Sequence, residues 1–471
     1  MKKYILIILL LQIIIEPITS KVIPTSLIGD NMVLQQRTKV KLWGKAKPDT
    51  RIKVSSSWDK RSYSSISDVD GSWLIEVYTP EASYVSHSLT FYDGEKTTIS
   101  NILIGEVWFA GGQSNMEMPL KGFGNCPIKG SLESIVSADN YPQIRMFNVP
   151  RRHSNEPLND INGQWAVASS ETAGRFSAVA YFFALSLNRS LDVPIGIINC
   201  SVGGSKVEGW TSREVLRNYP DVKLDREVME KIPDYLRPMV FYNAMLHPIV
   251  PYTIKGFIWY QGESNVGGRD YALRMTNMIN QWRDEWGLGE IPFYYVEIAP
   301  FFYQGHQKGQ APYLREEQCK VQHLVANCGI VSTNDLVEPY EAHNVHPCNK
   351  EQIGKRLSYL ALNGIYGKKY ISCHSPEYRG MELKGNKIKV TFIHADMGYS
   401  RNRDIQGFEI AGDDRIFYPA DKIERQSNGL LISSDKVPRP QAVRYCFKDF
   451  QPGNLAGING LPVIPFRTDN W

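Results

Sequence analysis

The sequence contains no C-x-x-C pair, no block of like charges, no low-complexity tract and no internal repeat. The seven cysteines, at 126, 200, 319, 328, 348, 373 and 446, are scattered and odd in number, so they cannot all pair within one chain. Without C-x-x-C spacing neither a zinc site nor a redox motif is indicated, although one or two disulfides are permitted. A large excess of charge of either sign is also missing: 53 basic and 49 acidic side chains leave a net charge of +4. There is no basic stripe, and nucleic acid is not expected as a partner. Beyond the first residues no segment is apolar enough to cross a bilayer.

What is present begins with Lys2 and Lys3, an apolar run over 4–15, and small polar residues at Thr19 and Ser20. A charged start, apolar middle and small residue at the cut describe a secretory signal over 1–20, removed near Ser20. The run is too short for a comfortable span, and no cysteine follows it to carry a lipid. An exported mature protein, periplasmic or extracellular and free of the membrane after cleavage, is therefore expected.

At 471 residues the chain exceeds one core and should form two or three domains. Residues 21–100 read as short strands, MVLQQ, KVKLWGKA, RIKVSSSW, SWLIEVYT and SLTFYD, which predict a β-sandwich-like module. Over 101–370 the pattern changes to apolar strands (102–110, 195–200, 256–260, 292–298, 329–333) alternating with amphipathic helices (178–191, 272–286, 313–327, 350–362). That alternation predicts a parallel sheet covered on both faces. From 371 to 471 strands return, as NKIKVTFI, IQGFEIAG, GLLISS and AVRYCF, predicting a second β module.

In such sheets ligands bind beyond the carboxyl ends of the strands. The loops there read Gly111-Gly112-Gln113-Ser114-Asn115, Ser201-Val202-Gly203-Gly204-Ser205, Gln261-Gly262-Glu263-Ser264-Asn265 and His343-Asn344-Val345-His346-Pro347. Acyl transfer needs a hydroxyl nucleophile, a base and donors aimed at an oxyanion. Ser114 is the candidate nucleophile because Gly111 and Gly112 let the backbone turn sharply. His346 is the candidate base, since imidazole titrates near neutrality. Gly203 or Gly204 can bring an N–H close, and Gln261, or failing it Asn265, can add an amide donor. Glu263 is read as a brace for its loop. Arg151, Arg152 and Arg269 are candidate rim cations, and Trp210 and Tyr260 candidate stacking surfaces for a sugar.

The segments GQSN, GGS…EGW, YQGESN and H-P-x-N-K resemble the four blocks of SGNH-type (GDSL-like) esterases. Longer segments, including IGEVWFAGGQSNMEMPL, GGSKVEGWTS, GFIWYQGESN and VHPCNKEQIGKRL, are similar to those of sialate O-acetylesterases. The resemblance implies a three-layer α/β/α SGNH-hydrolase domain flanked by β modules, no cofactor or metal, and Ser114 and His346 as nucleophile and base. It also implies an O-acetylated carbohydrate as substrate, a sialic acid or another sugar. Acetylxylan is the runner-up substrate, and an inactive carbohydrate-binding protein is the non-enzymatic alternative. The sequence departs from the family pattern at one position: His343 stands where the usual Asp would hold the catalytic imidazole. A Ser-His dyad, a backbone carbonyl, or Asp335, Glu338 or Glu341 would then have to orient the ring.

Overall fold

Side chains along the apolar segment around Val107 alternate between two cores, as a pleated strand requires. Val107 and Phe109 face one core, Trp108 and Ala110 the other. The computed structural model describes residues 21–400, 404–426 and 429–471, so the expected signal lies outside the described residues.

The central sheet comprises β1 (Lys96–Gly112), β2 (Ile144–Asn148), β3 (Trp165–Val167), β4 (Ile195–Ser201), β5 (Gly256–Tyr260), β6 (Phe293–Val296) and β7 (Cys328–Val331). Its order is β3-β2-β4-β1-β5-β6-β7, parallel throughout except for β3. Central β1 pairs with β4 at Trp108↔Ile197 and with β5 at Ala110↔Ile258. The chain order reverses on either side of β1, which places a crevice at the carboxyl ends of β1, β4 and β5.

Five helices matter to the site: α1 (Ser114–Glu117), α2 (Ala178–Leu191), α3 (Tyr271–Trp286), α4 (Ala311–Leu324) and α5 (Lys350–Gly364). Helices α2 and α5 cover one face, where Val179, Phe183, Leu357 and Leu360 pack with Trp108, Ile197 and Ile258. Helices α3 and α4 cover the other, where Met278, Trp282, Leu314 and Val321 pack with Phe109, Phe257 and Tyr295. Local signals set the helix starts: Ser177 caps α2 by accepting from Ala180 N (3.2 Å), and Asn349 caps α5 from Gln352 N (3.4 Å).

The first half of β1 belongs to a different neighbourhood. It pairs antiparallel with Ser83–Tyr92 and parallel with Val33–Gln35 before the strand enters the central sheet. The division drawn at residue 100 thus falls inside one continuous strand. Strands Ile23–Pro24, Lys39–Lys45 and Ser72–Tyr78 form a separate sheet. At the other end two four-stranded sheets enclose a third core built on Ile388, Ile410, Leu430 and Val443. All seven cysteines are free thiols. No helix of the described residues is long and apolar enough to cross a membrane.

Candidate active site

Gly112 ends β1 at φ +143°, and a β-carbon there would lie 2.1 Å from Tyr260 O. Only glycine allows β1 and β5 to stay paired to their tips while the chain turns into α1. Ser114 is the first residue of α1, and its N–H has no intrahelical acceptor. Gln113, just before it, is buried and its Oε1 accepts from Gly262 N (3.3 Å) and Ser264 N (3.4 Å). The loop after β5 is thereby locked to the loop after β1.

Asn115 binds the third loop. Its buried side chain donates to Glu263 Oε1 (2.5 Å) and to Val345 O (3.0 Å), while its Oδ1 accepts from Lys350 Nζ. One hydrogen bond therefore joins the residue after Ser114 to the residue before His346. Burial pushes the Glu263 carboxyl above its usual range and pulls Lys350 down to about 7, the latter partly offset by Glu263. Glu263 is the brace expected of it; its partners, Asn115 and Lys350, were not anticipated.

His346 is half-buried, and its Nε2 is sealed from solvent without a partner among the described residues. Burial, with Lys350 adding to it, lowers the imidazole to about 4. Its Nδ1 lies 3.9 Å from Cys126 Sγ, and Cys126 in turn donates to Asn344 Oδ1 (3.4 Å). Asn344 Oδ1 also accepts from His346 N (3.0 Å), and Phe123 packs edge-on against the ring at 5.4 Å.

The three carboxylates expected to orient this ring do not reach it. Asp335 forms a bidentate pair with Arg356 (2.7 and 2.6 Å), Glu341 accepts from Glu338 N (3.0 Å) and Cys348 N (2.8 Å), and Glu338 is exposed. Each is satisfied or solvated within its own turn. His343 is exposed and leans on Phe302 at 5.2 Å.

Gly203 does lie beside Ser114, where a β-carbon on it would sit 3.4 Å from Ser114 Cβ, and Gly204 follows it against the Tyr235 ring. The Gly203 N–H, however, is taken by Glu117 Oε2 at 2.5 Å. Burial raises the Glu117 carboxyl, against the pull of Gly203 N–H and Arg151. Gly204, at φ +78°, has an N–H with no acceptor among the described residues. Gln261 is not available as an oxyanion donor either. Its fully buried Nε2 faces Asn265 Oδ1 (2.7 Å), Ser205 O (3.1 Å) and Gln113 Oε1 (3.2 Å), three acceptors for two hydrogens. Asn265 is the half-buried residue of the pair, and its Nδ2 donates only to Glu208 Oε2 (2.9 Å), leaving one hydrogen.

A cavity of about 410 Å³ adjoins Asn265, lined by Lys206, Glu208, Ser264, Tyr271 and His306 among others. Arg274 at its wall is spent on Glu208, Asp221 and Asp270. Lys206 has no acidic partner among the described residues. Of the expected rim cations, Arg151 pairs with Asp234 (3.0 Å), Arg269 lies over the Tyr313 ring (3.9 Å), and Arg152 is exposed. Trp210 and Tyr260 are fully buried, so they pack the core and offer no surface to a sugar.

Two helical layers around a parallel sheet, with a serine opening the helix after the central strand, define an α/β/α hydrolase of the SGNH type. The family model described as carbohydrate esterase, sialic acid-specific acetylesterase matches residues 104–363, more than half of the chain, and the chain belongs to that family. It is similar to human sialate O-acetylesterase, 25% identical over 448 residues covering 87% of this chain and 84% of that protein. The mouse sialate O-acetylesterase is 24% identical over 450 residues, 82% and 81% of the two chains. Among solved structures, a carbohydrate acetylesterase from Xanthomonas citri shares 32% identity at a TM-score of 0.86, covering 96% of this chain and all of that one. The protein is thus an esterase acting on O-acetyl sugars.

Proposed function

We propose that the protein removes O-acetyl groups from sialic acids by a Ser-His acyl-enzyme mechanism. The observation that carries the reading is the sealed, unpartnered Nε2 of His346 in a loop pinned through Asn115 to the turn that presents Ser114. A neutral imidazole with a free Nε2 is what a serine hydroxyl needs as its base.

In this mechanism Ser114 Oγ attacks the acetyl carbonyl carbon while its proton passes to His346 Nε2. The carbonyl oxygen becomes an oxyanion held by the N–H groups of Ser114 and Gly204 and the spare hydrogen of Asn265 Nδ2. Collapse breaks the bond to the sugar oxygen, which takes the proton from His346, leaving Ser114 acetylated. Water then attacks, giving one proton to His346, and the second collapse returns that proton to Ser114 and releases acetate. The Cys126 thiol orients the ring in place of a carboxylate: Nδ1–H points to sulfur, and S–H points to Asn344 Oδ1. This chain keeps the proton on Nδ1 and the lone pair on Nε2.

The sialic acid part of the reading rests on the names of the curated relatives and on the cavity beside Asn265, where Lys206 offers a cation for the sugar carboxylate. Export rests on the charged, then apolar, N-terminal pattern ending near Ser20.

Acetate release from O-acetylated sialic acid and from acetylated xylan tests the substrate. Turnover of the sialic acid with weak or no release from xylan is expected; the reverse preference would overturn the sialic acid assignment. Lys206→Ala should raise KM on the sialic acid roughly tenfold, as for one lost charge-assisted hydrogen bond, and leave a neutral acetyl ester unaffected. Equal effects on both substrates would remove Lys206 from carboxylate recognition.

A further inference from the structure

A second group of chemically active side chains lies outside the esterase site, where α4 meets the first C-terminal strand, Glu377–Lys384. Cys319 and His323 stand four residues apart on α4, one helical turn, and so share a face. Glu377 reaches that face from the strand. The ligand atoms of Cys319, His323 and Glu377 all lie within 4.8 Å of one another. His323 Nε2 is 2.6 Å from Glu377 Oε1. Gln322, between the two helical residues, donates to Glu377 Oε2 (3.0 Å) and to Cys319 Sγ (3.7 Å).

We infer that Cys319, His323 and Glu377 form a site for a zinc-type divalent cation that clips α4 to the C-terminal sheets. One soft sulfur, one imidazole nitrogen and one carboxylate oxygen make a donor set suited to tetrahedral zinc, with the fourth position left to water. Thiolate and carboxylate together cancel a double positive charge, and the imidazole stays neutral. His323 falls in the last turn of the helix, where exposed carbonyl ends favour a cation, and Cys319 lies one turn before it. Gln322 holds both the carboxylate and the sulfur, the outer-shell support that metal ligands ordinarily have.

A bound metal takes the place of the thiol proton. Binding forms the S–metal bond, breaks S–H and releases one proton to solvent. At His323 the ring proton moves from Nε2 to Nδ1 on the half-exposed outer edge, so the lone pair of Nε2 faces the cation. The Nε2 to Oε1 separation must then open to roughly 3.3 Å, the spacing of two ligands about 2.0 Å from one tetrahedral ion. This is a side-chain adjustment and leaves the helix and strand in place.

The full-length protein, stripped with a chelator, is titrated with Zn(II) by calorimetry and with Co(II) by absorption spectroscopy. One ion per chain is expected, with a thiolate-to-cobalt charge-transfer band, tighter binding at higher pH and a higher melting temperature in zinc. Cys319→Ser and His323→Asn should abolish the band and the thermal shift while leaving acetate release unchanged, since neither residue touches the esterase site. Gln322→Ala should weaken binding roughly 10–100-fold. No binding by the wild-type chain, a cobalt spectrum without the sulfur band, or equal binding by the Cys319→Ser and His323→Asn proteins would overturn the proposal. The wild-type cobalt spectrum decides the matter even if a variant fails to fold.

Discussion

At the residue scale the imidazole of His346 sits against sulfur where a carboxylate would be expected. Two consequences can be measured. Because burial and Lys350 hold His346 at about 4, the base stays unprotonated through mildly acidic conditions. The acid limb of kcat/KM should therefore fall near pH 4, well below the ordinary imidazole range, and Lys350→Met should move it upward by removing a like charge. A limb that stays put in that variant would contradict the electrostatic coupling. Introducing an anion beside Nδ1 has the same sign by a different route: Cys126→Asp stabilises the imidazolium and should raise the limb by roughly 1–3 pH units. Cys126→Ala leaves the limb near 4 and lowers kcat, because the ring loses its orienting partner. The amides separate in the same way. Asn265→Ala should lower kcat roughly 10²- to 10³-fold as an oxyanion donor. Gln261→Ala, which leaves buried acceptors unpaired, should lower stability by about 1–3 kcal/mol. Comparable kcat losses without destabilisation for Gln261→Ala would return it to the oxyanion role.

At the element scale the site depends on how closely β1 and β5 approach before the chain turns. Gly112→Ala would put a methyl group 2.1 Å from Tyr260 O in a backbone conformation that alanine rarely adopts. A loss of about 3 kcal/mol or more is expected, visible as a lowered melting temperature. Gly124→Ala, exposed and with open space around its β-carbon, is the matched control and should be neutral. The long apolar strands and the four long helices were legible in the sequence because each carries an unbroken apolar run or a full helical period. The short strands β2 and β3 were not, since Ile144–Asn148 is brief and interrupted by Arg145, and its pairing is decided by β4. The same limit applied to the site. Motifs named Ser114, His346 and Asn265, but whether the amide hydrogens of Gln261 were free depended on three acceptors that only packing assembles. Cys126 lies 220 residues from His346 with no spacing to connect them.

At the scale of the whole molecule the C-terminal sheets grip the esterase layer at the start of α4. Asp449, nearly buried, accepts from Gly309 N and Ala311 N, and the buried Arg315 reaches the carbonyls of Lys448 and Asp449. Arg467 forms a bidentate pair with Glu316 at 3.0 Å. Asp449→Ala strands two backbone donors and should lower stability by about 1–3 kcal/mol, read by denaturant unfolding. Histidine burial adds a pH dependence of definite sign. His346 binds its proton less readily folded, near 4, than unfolded, near 6.5, so the unfolded chain takes up the extra proton between those values. Stability from this group is therefore present above pH 6.5 and declines as pH falls toward 4.

The most direct measurement is acetate release from an O-acetylated sialic acid by the Ser114→Ala protein, shown to be folded by its melting transition. The mechanism predicts a fall in kcat of about 10⁴-fold or more, with only the residual rate that binding and oxyanion donors can sustain. Turnover within about tenfold of wild type, far less than loss of a nucleophile entails, would mean that another group attacks the ester and that the assignment of Ser114 and His346 is wrong.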